Sequence, residues 1–232
     1  MTSYVLVHGG AHGGWCWERL TPYLEADARV DRVVALDLPG HGQRVDERDL
    51  NEITLEDYIE EIAGTVRRLD LRDVVLVGHS LAGASMPQAA ARVADRVKRA
   101  VFLSALIPGE GKSSLETIEA NRTLELRRGG DMSEQYRSMF CNDEDDETAR
   151  WHLSKLGPQP PAIMTAKVSR AGFPQDLPTT YIVLLKDQAL APSFQRELLK
   201  NLPDPEVVEL DAGHSAMISR PKELADILLR YA

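Results

Sequence analysis

Four consecutive apolar residues, Val74-Val75-Leu76-Val77, run straight into Gly78-His79-Ser80-Leu81-Ala82-Gly83, and an alanine-rich stretch follows through Val93. A strand that is apolar at every position is covered on both faces, which is the habit of a parallel sheet. A sharp turn from such a strand into a helix lifts its serine above the sheet and aims the next backbone N–H at the place where an oxyanion forms. The turn tolerates only small flanking residues. Gly78 stands two before Ser80 and Ala82 two after it, so the pattern is Gly-x-Ser-x-Ala with Gly83 next door.

The rest of the chain repeats the same rhythm. Tyr4 to His8, Arg32 to Asp37, Asp73 to Val77, Arg99 to Leu106, Thr179 to Leu185 and Glu206 to Leu210 read as strands. Between them lie helical patterns over Gly14 to Ala26, Leu55 to Leu69, the stretch after Ser80, and Lys222 to Tyr231. Thr54 with Asp57 three residues later forms a capping box for the second of these. Parallel strands need crossover connections, so this alternation predicts an α/β chain with a doubly wound, mostly parallel sheet. Residues 109–174 break the rhythm with helical patterns and no strand, and are expected to form a small helical cap inserted after the strand at 99–106. The 232 residues fit one domain, 1–232, that carries this cap within it.

The composition excludes several functions. A formal charge of −9 with scattered basic residues such as Arg67-Arg68 and Arg127-Arg128 argues against nucleic acid. No apolar run is long enough for a membrane span, and no basic leader followed by a long apolar stretch opens the sequence. Two cysteines, Cys16 and Cys141, are too few for a disulfide scaffold and show no zinc-ligand spacing. A cytoplasmic location, no membrane, no metal and no cofactor are the expectations. The acidic run Asp143-Glu144-Asp145-Asp146-Glu147 reads as a solvated helix face.

Ser80 needs a base and an acid, and their order in this turn architecture is serine, acid, histidine. His214 follows the last strand on the loop Asp211-Ala212-Gly213-His214 and is the expected base. Asp187 ends the strand before it and is the expected acid, holding the histidine tautomer that leaves Nε2 facing the serine. Asp211 is too near His214 along the chain for that task and is expected to cap the turn. The glycine-rich loop His8-Gly9-Gly10-Ala11-His12-Gly13-Gly14 supplies the second oxyanion amide, so Gly10 N–H and Leu81 N–H are the expected donors. His8 is expected to brace that loop. Trp15 and Trp17 are expected in packing roles. Gly9, His79, Met132, Met139, Phe140 and Trp151 are the expected substrate-binding set; Leu124 and Leu126 belong to the same apolar cap pattern.

With His8-Gly-Gly, the Gly78-to-Gly83 turn, Asp187 and Gly213-His214 in that order, the chain resembles the α/β-hydrolase superfamily. It is most similar to the branch of plant methylesterases and hydroxynitrile lyases and their bacterial esterase relatives. His8-Gly-Gly-Ala-His-Gly-Gly-Trp-Cys-Trp, Val33-Val-Ala-Leu-Asp-Leu, Ala100-Val-Phe-Leu-Ser-Ala, Pro192-Ser-Phe-Gln-Arg and Gly213-His214-Ser-Ala-Met carry the likeness, over 4–108 and 178–232. In the lyases a threonine is expected after the first-loop histidine and a lysine after the last histidine. Here those positions are Gly9 and Ser215, so no cation awaits an anionic leaving group. The resemblance therefore implies a serine esterase acting on a small to medium, apolar ester, and it leaves a homodimer open. A lyase or biosynthetic tailoring enzyme, a lactonase or thioesterase, and a receptor-like binding module are the competing readings.

Overall fold

The computed structural model describes residues 1–121 and 131–232. Leu124, Leu126 and the Arg127-Arg128 pair lie outside the described residues. Six strands, β1 (Thr2–Val7), β2 (Val30–Ala35), β3 (Val74–His79), β4 (Val97–Leu103), β5 (Thr179–Leu184) and β6 (Glu206–Leu210), form one sheet in the order β2-β1-β3-β4-β5-β6. All five pairings are parallel. The expected strands are therefore present, and the expected doubly wound parallel sheet with them.

Alternate residues of each strand enter different apolar layers, as strand geometry requires. Val5 and Val7 of β1 and Val74 and Leu76 of β3 join one layer, with Tyr58, Ile59, Ile62 and Val66 from the helix over Leu55–Arg68. Tyr4, Leu6, Val75 and Val77 join the other, with Trp17, Leu20 and Leu224. Trp17 is fully buried, a core residue as expected.

Ten α-helices are described. Three of them, α1 (Thr21–Glu25), α2 (Leu55–Arg68) and α3 (Met86–Arg92), lie before β4. Four more, α4 (Ser114–Ala120), α5 (Met132–Phe140), α6 (Asp146–Lys155) and α7 (Pro161–Thr165), fill the stretch between β4 and β5 that was expected to be a cap. The last three are α8 (Pro192–Leu198), α9 (Ala216–Ser219) and α10 (Pro221–Leu228). The Thr54–Asp57 capping box is formed in both directions.

Three helical expectations had the wrong extent. The Gly14–Ala26 segment is a 3-10 turn over Gly14–Trp17 followed by α1. The stretch after Ser80 is a 3-10 turn over Ser80–Ala84, with α3 starting at Met86. Pro87 accounts for that restart, because a proline ring inside a continuous helix would strike the carbonyl four residues back. The closing helix begins at Pro221, and its end tightens into a 3-10 turn over Leu229–Tyr231.

Strand order reverses around β1, which has β2 on one side and β3 on the other. Ligands of open α/β sheets bind at such a switch point, outside the carboxyl ends of the strands. The loop after β1 and the turn after β3 flank that crevice.

Candidate active site

Ser80 sits at φ 51°, in the left-handed region that a serine enters only under constraint. Two close approaches hold it there. Gly78 lies where an added Cβ would come within 2.5 Å of Met86 Sδ, and Gly83 where one would come within 2.3 Å of the Leu106 carbonyl oxygen. The chain after β4 thus crosses tightly over the turn, and Leu106 N–H donates to the Ser80 carbonyl at 2.8 Å. Alanine at position 82 is accommodated because its Cβ faces Gly78, which has none.

His214 Nε2 lies 3.0 Å from Ser80 Oγ, and His214 Nδ1 lies 2.7 Å from Asp187 Oδ2. A carboxylate only accepts, so Nδ1 carries the proton and Nε2 presents its lone pair to the serine. Asp187 stands in the turn after β5 and is 4 % exposed. Its Oδ1 accepts from Ala189 N–H at 2.7 Å and Leu190 N–H at 2.8 Å, and its Oδ2 also accepts from Ser104 Oγ at 2.6 Å. Phe140 stacks on the His214 ring at 5.6 Å. His79 donates from Nε2 to the His214 carbonyl at 2.9 Å, so it backs the histidine rather than facing the crevice.

The loop after β1 has its peptide planes fixed by imidazoles. His8 Nε2 accepts from Leu38 N–H at 3.1 Å, so His8 Nδ1 carries the proton it donates to the Gly9 carbonyl at 2.8 Å. In a planar trans peptide the N–H points opposite the C=O. Holding the Gly9 carbonyl therefore turns Gly10 N–H the other way. His12 holds the next plane, with Nδ1 2.7 Å from the Gly10 carbonyl. Burial keeps His8, His12 and His79 neutral, each well below the usual histidine range.

The alpha/beta hydrolase family model matches residues 4–227. This chain belongs to that family. Methylesterase 9 of Arabidopsis thaliana is 31% identical over 100% of this chain and 98% of its own length. Salicylic acid-binding protein 2 of Nicotiana tabacum is 32% identical, over 99% of this chain and 96% of its own. Among solved structures, polyneuridine aldehyde esterase superposes with a TM-score of 0.81 at 25% identity, covering 99% of this chain and 98% of that one. A pyrethroid hydrolase superposes with a TM-score of 0.81 at 27% identity, over 99% and 96%.

The serine and histidine open on a cavity of about 300 Å³. Ser80, His214, Gly10 and Leu81 line it together with Leu106, Ile118, Tyr136, Met139, Phe140, Met164 and Leu190. Met139 and Phe140, expected to bind substrate, line this cavity. Met132 and Trp151 do not: Met132 is 54% exposed, and Trp151 packs edge-on against Trp15 beneath the Arg19 guanidinium. Neither lines the cavity, and Gly9 packs behind Ser80 instead.

Several functional contacts had no sequence signal. Gln159, from the segment leading into α7, lines the cavity and accepts from Ala11 N–H at 3.1 Å. Gly157 N–H donates to the Ala11 carbonyl at 2.8 Å. The cap therefore grips the β1 loop on both sides of Ala11, itself at φ 61°. A glutamine between prolines carries no mark of such a long-range contact.

The acidic run is solvated only in part: Asp145, Asp146 and Glu147 are exposed, while Asp143 and Glu144 turn inward. Asp143 Oδ2 accepts from Gly213 N–H at 2.7 Å and from Ser219 Oγ at 2.8 Å, fastening the His214 loop. Glu144 has no exposed side-chain surface and bonds His152 Nδ1 at 2.9 Å. Burial, then the Asp143 charge, pushes its carboxyl up to about 8, and burial pushes His152 down to about 4. Asp145 caps α6 through Thr148 N–H. Asp211 does not cap the turn; it pairs with Lys186 Nζ at 2.6 Å on the surface.

Proposed function

We propose that this chain hydrolyses a small to medium, apolar carboxylic ester through an acyl-enzyme on Ser80. The relay of Ser80, His214 and Asp187 at 3.0 and 2.7 Å, opening on an apolar cavity, carries the reading. Relatives named as esterases over the full length of the chain support it, and the chain is accordingly a carboxylic ester hydrolase.

Ser80 Oγ attacks the ester carbonyl while His214 Nε2 takes its proton, and Asp187 steadies the imidazolium that forms. Gly10 and Leu81 N–H groups hold the oxyanion, where preorganised donors contribute most. The protonated His214 then delivers its proton to the departing alcohol. Water, activated by the same nitrogen, releases the acid. Tyr136, Met139, Phe140 and Met164 shape the acyl or alcohol pocket, and flexible methionine suits an adaptable apolar wall.

Residues 1–232 act in this reading as one domain with 109–174 as its cap. No described helix is long and apolar enough to cross a membrane. The two free, buried cysteines suit a reducing cytoplasm.

The test is a p-nitrophenyl ester panel of increasing acyl length, run on wild type and Ser80→Ala, with a fluorophosphonate label read by intact mass. Labelling at Ser80 and loss of turnover in the variant are expected, with a chain-length optimum set by the cavity. Absence of both labelling and turnover overturns the esterase reading in favour of a lyase or a binding module.

A further inference from the structure

Behind the β1 loop, where the connection from α5 to α6 meets α6, Cys141, Glu144 and His152 bring a thiol, a carboxyl and an imidazole together. One donor atom from each lies within 4.8 Å of the others. Cys141 and the His152 side chain are buried, and the Glu144 side chain has no exposed surface.

The hydrogen bonds around His12 and His152 fix where the protons sit. His12 Nδ1 faces the Gly10 carbonyl, an acceptor only, so it carries the proton and leaves Nε2 as a lone pair. His152 Nε2 lies 2.9 Å from that lone pair and must be the donor. The single lone pair of His152 is then on Nδ1. Two acidic groups converge on it, Glu144 Oε1 at 2.9 Å and Cys141 Sγ at 3.3 Å. One lone pair accepts one proton, and the Cys141 and Glu144 side chains also contact each other, so all three groups share one small polar pocket. In addition, Glu144 Oε2 is buried with no partner among the described residues.

We propose that Cys141 Sγ, Glu144 and His152 Nδ1 form a binding site for a divalent transition ion of the Zn²⁺ class. Thiolate with imidazole selects such an ion over calcium or magnesium. Metal–ligand bonds of about 2.0–2.3 Å set neighbouring donors roughly 3.3–3.7 Å apart. The 2.9 and 3.3 Å separations reach that range with a small outward step. The fourth position falls to water or to Glu144 Oε2. As the ion enters, the S–H and carboxyl O–H bonds break, two protons leave to solvent, and metal–S, metal–O and metal–N bonds form with no change of oxidation state. One dication with two anions leaves no net charge in the buried site, which keeps its desolvation cost low.

The outer shell matches that use. A metal-bound histidine ordinarily donates its other N–H to a fixed acceptor. Here His152 donates to His12, which in turn holds the Gly10 carbonyl. The ion takes no part in ester cleavage; it staples the cap to the loop that carries Gly10.

The experiment titrates Co²⁺ into chelator-stripped full-length chain after long equilibration. Zinc content is measured by elemental analysis on chain made in zinc-supplemented medium and purified without chelator. One ion per chain is expected, with a thiolate-to-cobalt charge-transfer band that Zn²⁺ abolishes. Cys141→Ser should remove the band, and His152→Ala or Glu144→Gln should weaken binding on the order of 100-fold. Circular dichroism and thermal melts establish that each variant is folded; should His152→Ala fail to fold, Cys141→Ser, a one-atom change, decides. No band and no bound zinc, or equal affinity in wild type and Cys141→Ser, overturns the proposal. Ser80→Ala should bind Co²⁺ like wild type, so this result stands apart from the esterase reading.

Discussion

His8, His12 and His79 each have one ring nitrogen committed to a backbone carbonyl. Neutral, buried and locked in tautomer, they act as fixed connectors between peptide groups. Gln159 completes this system from the cap by accepting from Ala11 N–H. Replacing it with leucine keeps the bulk and strands a buried donor, an omission worth about 1–3 kcal/mol. In Gln159→Leu that strain falls on the peptide next to Gly10, so kcat should drop about tenfold for each 1.4 kcal/mol while KM barely moves. Gln159→Glu retains an acceptor oxygen and should stay near wild type. Steady-state kinetics on one ester distinguishes the roles, since a purely substrate-binding Gln159 would raise KM instead. Neither this contact nor the His12–His152 pair is legible in the sequence, because they join residues 148 and 140 apart through a single hydrogen bond each. Ser80, His214 and Asp187 could be singled out because each follows within a few residues of a strand's end, where local pattern fixes position. Met132 and Trp151 misled for the opposite reason: apolar character on a cap helix does not say which side of the helix faces the crevice.

At the scale of elements, the turn between β3 and α3 depends on two missing side chains that fail differently. A Cβ at Gly83 would meet the Leu106 carbonyl oxygen, backbone that is itself bonded to Ser80 through the Leu106 amide. A Cβ at Gly78 would meet the thioether of Met86, the far end of a flexible chain. Gly83→Ala should therefore destabilise by about 3 kcal/mol, the upper end of ordinary overpacking, and Gly78→Ala by about 1 kcal/mol. Shortening the neighbour in Gly78→Ala/Met86→Ala removes the clash and should abolish the penalty specific to the first change. Urea unfolding of the three variants and of Met86→Ala checks this; equal costs at positions 78 and 83 would contradict it. The sheet itself was readable strand by strand because burial on both faces imposes continuous apolar runs. Helix ends were less so. Pro87 interrupts a stretch whose alanines alone favour one continuous helix, and Asp143 and Glu144 looked as solvated as the rest of the acidic run because their partners at Gly213, Ser219 and His152 are not adjacent in sequence.

For the whole molecule, the switch in strand order gathers the loop after β1 and the turn after β3 at one crevice, and the buried histidines around these loops make the fold sensitive to acid. His41 is 1 % exposed, and its Nε2 lies 2.6 Å from the Tyr58 hydroxyl. Burial lowers it from 6.5 to about 4, and His8 and His79 are depressed in the same direction. A base with a depressed folded-state pKa is neutral in both states above 6.5. Below that, the unfolded chain takes up a proton that the folded chain refuses, so stability is lost as pH falls through the window from 6.5 to about 4. At about 1.4 kcal/mol per pKa unit, His41 alone accounts for on the order of 3 kcal/mol across it. Carboxylates contribute to acid unfolding as well, so a comparison between variants isolates the histidine. His41→Gln cannot take up that proton in either state. Its urea-unfolding free energy should be lower than wild type near neutrality, where the Tyr58 contact counts, and should fall less steeply between about pH 6.5 and 4.5. Parallel curves for the two proteins would mean that His41 takes up its proton as readily in the folded chain as in the unfolded one, and that its surroundings are wetter than their burial implies.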